Sequence, residues 1–142
     1  MSTVIPSAAP SWPPAKKHRT IDDDQLSLDR VFDSIKGNPR RERLFAAFKV
    51  FFLDNPDIVN AFEQFLFETL AAGKKRYSSD ALFHRVRWWS EIETRKLADD
   101  FKLNNNHTAY LARFFMASYP ELLAIEFFKL RDPMPRHFQA NS

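Results

Sequence analysis

The tripeptide Asp54-Asn55-Pro56 separates two Phe-rich segments whose apolar residues recur every three or four positions. In the first these are Leu44, Phe45, Phe48, Phe51 and Phe52; in the second, Ile58, Phe62, Phe65, Leu66 and Leu70. That spacing lines one face of an α-helix. Asparagine is a favoured N-cap, and proline fits the first helical position, where its missing N–H costs nothing. The pattern predicts a helix over 40–53 and another over 56–72, closed by Gly73 and forming a helical hairpin. The chain has 15 Phe, is 44% apolar and has only two glycines, Gly37 and Gly73. It holds enough apolar mass for one core. So few glycines argue against a β-rich fold full of tight turns and against a glycine loop for phosphate.

Other elements follow from the same signals. Residues 26–36 predict a short helix, with Leu28, Val31, Phe32 and Ile35 on one face, ended by Gly37-Asn38-Pro39. A helix over 79–94, capped by Ser78 or Ser79, would bury Leu82, Val86 and Trp89, with Phe83 as a further option. Its opposite stripe, Asp80, His84, Arg87 and Glu91, suggests the pairs Asp80–His84 and Arg87–Glu91. Phe101-Lys102-Leu103 has the look of a short strand, and a helix runs from Asn106 or His107 to Tyr119, stopped by Pro120. Beyond Pro120 the chain reads as one more helix or as a turn into a strand at Phe127–Arg131; that strand would pair with Phe101–Leu103. Residues 1–25 carry Pro6, Pro10, Pro13 and Pro14 without an apolar period and read as a disordered tail. Within it, Lys16-Lys17-His18-Arg19 reads as a solvated basic block or a tethered arm, and Trp12 as a docking anchor. Residues 26–131 form a single helical domain, and 132–142, with Pro133 and Pro135, a flexible tail.

The expected fold is mainly α: a compact bundle of four to six helices, with a small two-stranded ribbon and a helix-turn-helix or winged-helix-like arrangement as options. The absence of Cys removes disulfides, thiolate chemistry and cysteine-based zinc sites, and fits a reducing compartment. No apolar run reaches the ~18–20 residues of a membrane span, and no secretory signal is visible. The four His, at 18, 84, 107 and 137, show no H-x-x-x-H spacing. No Ser sits in a glycine-flanked elbow, and the Phe and Trp stripes read as core, not as a cofactor box. A catalytic centre, a metal and a cofactor are therefore not expected. Scattered Asp80, Glu91, Glu93 and Lys102 are the nearest approach to a nuclease set.

Net charge is +3, which permits nucleic-acid binding without demanding it. The strongest constellation is Arg85, Arg87, Lys102, Asn104, Asn105, Asn106, His107, Tyr110 and Arg113. Arginine and lysine neutralise phosphates, asparagine reads adenine, and a helix N-terminus adds amide donors. On that reading the 104–119 helix is a recognition element. The bland reading has the asparagines forming a turn, Asn106 capping the helix, and Arg113 binding a carboxylate.

Residues Tyr77–Trp88 (YSSDALFHRVRW) and Phe101–Phe115 (FKLNNNHTAYLARFF) resemble the shared core of a family of small, uncharacterised phage and prophage-encoded proteins. The resemblance spans about residues 60–131 and includes the closing Phe127-Phe128-Lys129-Leu130-Arg131. It implies a phage setting in the cytoplasm of a bacterial host and carries over no activity. The Pro-rich tail and the Phe-rich helix over 40–53 lie outside that core. The expected function is non-enzymatic DNA binding through the 104–119 helix; the alternative is a protein–protein interaction module, such as a phage inhibitor of a host machine, that engages a host protein through the polar stripe of the 79–94 helix and Trp12.

Overall fold

The computed structural model describes residues 12–94 and 105–130. Among these residues the chain is helical and has no strand. Six α-helices follow one another: α1 (Ile21–Ile35), α2 (Pro39–Asp54), α3 (Pro56–Ala71), α4 (Ser79–Trp88), α5 (Asn105–Ser118) and the short α6 (Pro120–Ala124). A π-helical segment, Trp89–Thr94, continues α4. The mainly α bundle is as the periodicity demands. No helix among the described residues is long and apolar enough to cross a membrane.

The helix ends obey local chemistry. Asn38 Oδ1 accepts the Arg41 N–H, with Pro39 at the first helical position of α2. Asn55 both ends α2, its N–H donating to the Phe51 carbonyl, and precedes Pro56 of α3. Its side chain also turns back onto the Phe51 carbonyl (3.0 Å), so at the N-cap position of α3 it offers its carbonyl to the Ile58 and Val59 N–H groups but no side-chain bond. Gly73 follows α3 with φ +91°, a backbone state that L side chains resist. Its N–H reaches the Leu70 carbonyl, and the Lys74 N–H reaches that of Thr69.

The core gathers around α5. This helix packs against α1, α2, α4 and α6, and every residue from Tyr110 to Tyr119 is buried. Aromatic rings tie the layers together. Phe62 of α3 stacks on Phe115 of α5 (5.5 Å, 8°), Phe52 of α2 meets Phe114 (4.7 Å), and Phe48 stacks on Tyr110 (5.6 Å, 29°). Each fully buried ring contributes roughly 1.5–3 kcal/mol through the area it removes from water.

Two expectations change. The chain from Trp12 onward is not a loose tail: it lies against the bundle, and α1 starts at Ile21, not at residue 26. The cause is a capping box. Thr20 Oγ1 accepts the Asp23 N–H and Asp23 Oδ2 accepts the Thr20 N–H, both at 3.0 Å. The second change concerns the ribbon. Phe127–Leu130 forms bends and coil, not a strand. Its Phe127 carbonyl accepts the Tyr77 N–H (3.1 Å), and Phe127 and Phe128 are buried, so the segment closes the bundle as an apolar plug. Its proposed pairing partner, Phe101–Leu103, lies outside the described residues, as do Arg131 and the 132–142 tail.

Candidate functional site

Helix α4 presents the most developed solvent-facing surface of the predicted site. Ser78 Oγ accepts the Ala81 N–H (3.1 Å) and starts the helix. Leu82, Phe83 and Val86 anchor its inner side. At Ser90, which is fully buried, the hydroxyl donates back to the Arg87 carbonyl (3.0 Å), and the helix widens into the π segment. Such side-chain back-bonding competes with the backbone ladder, and π-bulges are enriched at functional positions.

The outward side carries charge and apolar surface together. Arg87 Nε donates to Glu91 Oε1 (3.0 Å), as the spacing predicts. Arg85 reaches Glu68 of α3 (2.7 Å) while its guanidinium lies 4.3 Å from the Phe65 ring centroid. Asp80 and His84 are both exposed and make no hydrogen bond or ion pair with each other. Between these groups Trp88 is 61% exposed and Ile92, four residues on, is 51% exposed.

Helix α5 behaves differently from its expected role. Tyr110 is buried, and its hydroxyl donates to the Arg41 carbonyl (3.0 Å). Burial pushes that hydroxyl's pKa up, and the neighbouring Arg113, Arg41 and Arg40 pull it part of the way back. Arg113 is also buried, its guanidinium 5.9 Å from the Tyr110 ring. Neither side chain is on a surface that could meet a base edge. The reason is packing: α5 is enclosed by four other helices and has no solvent side beyond its first turn. His107 is half-buried and stacks on Phe51 (4.5 Å, 17°). Its Nδ1 is buried with no hydrogen-bond partner, and burial holds its pKa below the ordinary value. Asn105 opens the helix and Asn106 lies within it, exposed, so Asn106 is not the cap. Lys102 and Asn104 lie outside the described residues. The predicted set therefore divides: Arg85, Arg87 and Asn106 face solvent, whereas Tyr110 and Arg113 are inside.

One polar cluster was not legible as a site. Arg19, with its side chain 8% exposed, donates from Nε to Glu63 (3.2 Å), from one terminal nitrogen to both Asp24 oxygens (2.9 Å each), and from the other to Asn60 Oδ1 (2.6 Å). Tyr119 donates its hydroxyl to the same Glu63 oxygen (2.7 Å) and accepts the Lys17 N–H (3.0 Å). Burial and the bond to Glu63 drive the Tyr119 hydroxyl pKa far up. Asp24 is raised as well, because its burial outweighs the attraction of Arg19. The available signal was Thr20-x-x-Asp23, which marks a helix start and so places Lys17 and Arg19 beside ordered structure. Trp12, expected as a docking anchor, instead packs against the core.

Among the described residues no three His, Asp or Glu side chains converge as metal ligands. Comparison with protein-family models, curated proteins and solved structures gives no match to this chain.

Proposed function

We propose that this protein is a protein–protein interaction module that binds its partner through the outward side of α4 and the π segment. The observation that carries this reading is the pairing of exposed Trp88 and Ile92 with arginines that already hold carboxylates. Tryptophan and arginine dominate the energetics of protein interfaces, where a central apolar anchor is rimmed by charge. Arg85 and Arg87 sit beside Glu68 and Glu91, so the local field is balanced and not uniformly positive. A phosphate-gripping surface wants the opposite, a cluster of cations free of acidic neighbours. The DNA-binding alternative also loses Tyr110 and Arg113 as base contacts, because both are buried. The resemblance to phage proteins would make the partner a host protein.

The test is capture of one defined protein from nuclease-treated bacterial lysate, with loss of that capture for Trp88→Ala and Ile92→Ser. Retention of capture by both variants would remove α4 as the contact surface. Salt-sensitive duplex binding between about 50 and 200 mM salt, weakened by Arg85→Ala, would return the DNA reading to first place.

A further inference from the structure

Residues Trp12–Arg19 are bound to the rest of the molecule in the way a peptide is bound by a receptor. They form neither helix nor strand, and among the described residues they make no backbone–backbone hydrogen bond. Four side chains and the Lys17 N–H, which donates to the Tyr119 hydroxyl, hold them. Trp12 packs on the core and Pro14 is buried. Lys17 donates from Nζ to the Ser118 carbonyl (2.5 Å) and lies 5.0 Å from the Tyr119 ring centroid. Arg19 enters a built pocket. Its guanidinium lies 5.6 Å from both the Phe114 and Phe115 centroids and meets Glu63, Asp24 and Asn60.

The receptor side is prepared for a cation. Glu63 is 3% exposed, and its other neighbour in the network, Tyr119, is a neutral donor. A buried carboxylate left with a neutral donor alone is poorly compensated, so the pocket strongly favours a guanidinium. The guanidinium need not belong to this particular strap. Helix α1 keeps its own start through the Thr20–Asp23 capping box, which uses no atom of residues 12–19. A segment held by side chains without a backbone ladder belongs to the part of a structure that opens at low cost.

We propose that the surface formed by Asn60, Glu63, Phe114, Phe115 and Tyr119 is a receptor for an extended basic peptide with Lys-x-Arg spacing, occupied in cis by Lys17-His18-Arg19. The strap is then an autoinhibitory ligand: tethered next to its pocket, it competes at an effective concentration in the millimolar range. A partner segment gains access when the strap is weakened or drawn away. This inference uses none of the residues of the α4 surface and stands independently of it.

The test uses the full chain and a labelled peptide with the sequence of residues 12–19. Arg19→Ala should bind this peptide saturably and at least about tenfold more tightly than the unaltered chain, because the cis strap has lost the side chain that fills the pocket. The peptide should raise the melting temperature of Arg19→Ala and leave that of the unaltered chain unchanged. A peptide with alanine in place of its arginine should not bind, and Glu63→Gln combined with Arg19→Ala should abolish binding. Equal binding to both chains, or none to Arg19→Ala, overturns the proposal. So does an Arg19→Ala chain that stays unfolded in millimolar peptide, since the pocket would then not exist apart from its own strap. Hydrogen exchange on the unaltered chain gives a second reading. The Lys17 amide, which donates to the Tyr119 hydroxyl, should exchange at least about a hundredfold faster than the amides of α5; equal protection would overturn the opening the proposal needs.

Discussion

Helices α4 and α5 carry comparable amphipathic patterns, yet one has a wet side and the other has none. On α4, Leu82, Phe83 and Val86 are buried and the opposite side, with His84, Arg85 and Trp88, faces solvent. On α5 the polar residues Thr108, Arg113 and Ser118 are buried along with the apolar ones. The difference is the number of neighbours. An apolar stripe states which side must leave water; it does not state that the other side stays wet. Polar groups on an enclosed helix persist where they find partners, as Tyr110 does at the Arg41 carbonyl and Ser118 at the Ser27 hydroxyl (2.9 Å).

The contrast is open to measurement. Phe115→Ala should cost about 3–5 kcal/mol in urea unfolding, the usual loss for a fully buried ring that leaves a cavity. If Trp88→Ala costs as much, α4 has no free side and the contrast fails. Tyr110→Phe keeps the ring stack on Phe48 and removes only the bond to Arg41, so about 0.5–1.5 kcal/mol is expected from the same measurement. A neutral Tyr110→Phe would show that the hydroxyl reaches water, which is what a groove-facing α5 requires.

His107 tests the first turn of α5. Its folded pKa lies below the ordinary 6.5 because burial disfavours the imidazolium. The unfolded chain therefore binds more protons just below pH 6.5. The stability contributed by the neutral ring is complete above pH 6.5 and is lost as pH falls from there toward the depressed folded value. His107→Phe, which keeps an aromatic ring on Phe51, should flatten that fall in melting temperature between pH 7.5 and about 5.5. An unchanged pH profile would place the sensitivity elsewhere. The smallest effects belong to α4. Arg85→Ala should cost under about 1 kcal/mol, as exposed pairs do, and Trp88→Ala should stay within about 0.5 kcal/mol. Larger losses would mean that this surface is part of the core and not a contact face.

Much of the helical framework was readable from periodicity and caps. Asn55-Pro56 and Ser78 mark helix starts, and Gly37-Asn38-Pro39 and Pro120 mark helix ends, through chemistry confined to a few neighbouring residues. The site was less readable. The Arg87–Glu91 pair followed from spacing along one helix, because both partners belong to the same local geometry. The Arg85–Glu68 pair and the Arg19 pocket join residues far apart in sequence, and no local pattern carries them. A basic run such as Lys16-Lys17-His18-Arg19 has the same composition whether water or a buried glutamate receives it.

Helix content, helix order and the apolar faces were set by residue spacing, since backbone hydrogen bonding and burial act within a turn or two of chain. Which helix became the enclosed centre was decided only when the others closed around α5. That arrangement buried Tyr110 and Arg113, left Trp88 outside, and gave Arg19 its carboxylates. Enclosure depends on contacts between distant segments, whose joint geometry no stretch of sequence encodes alone.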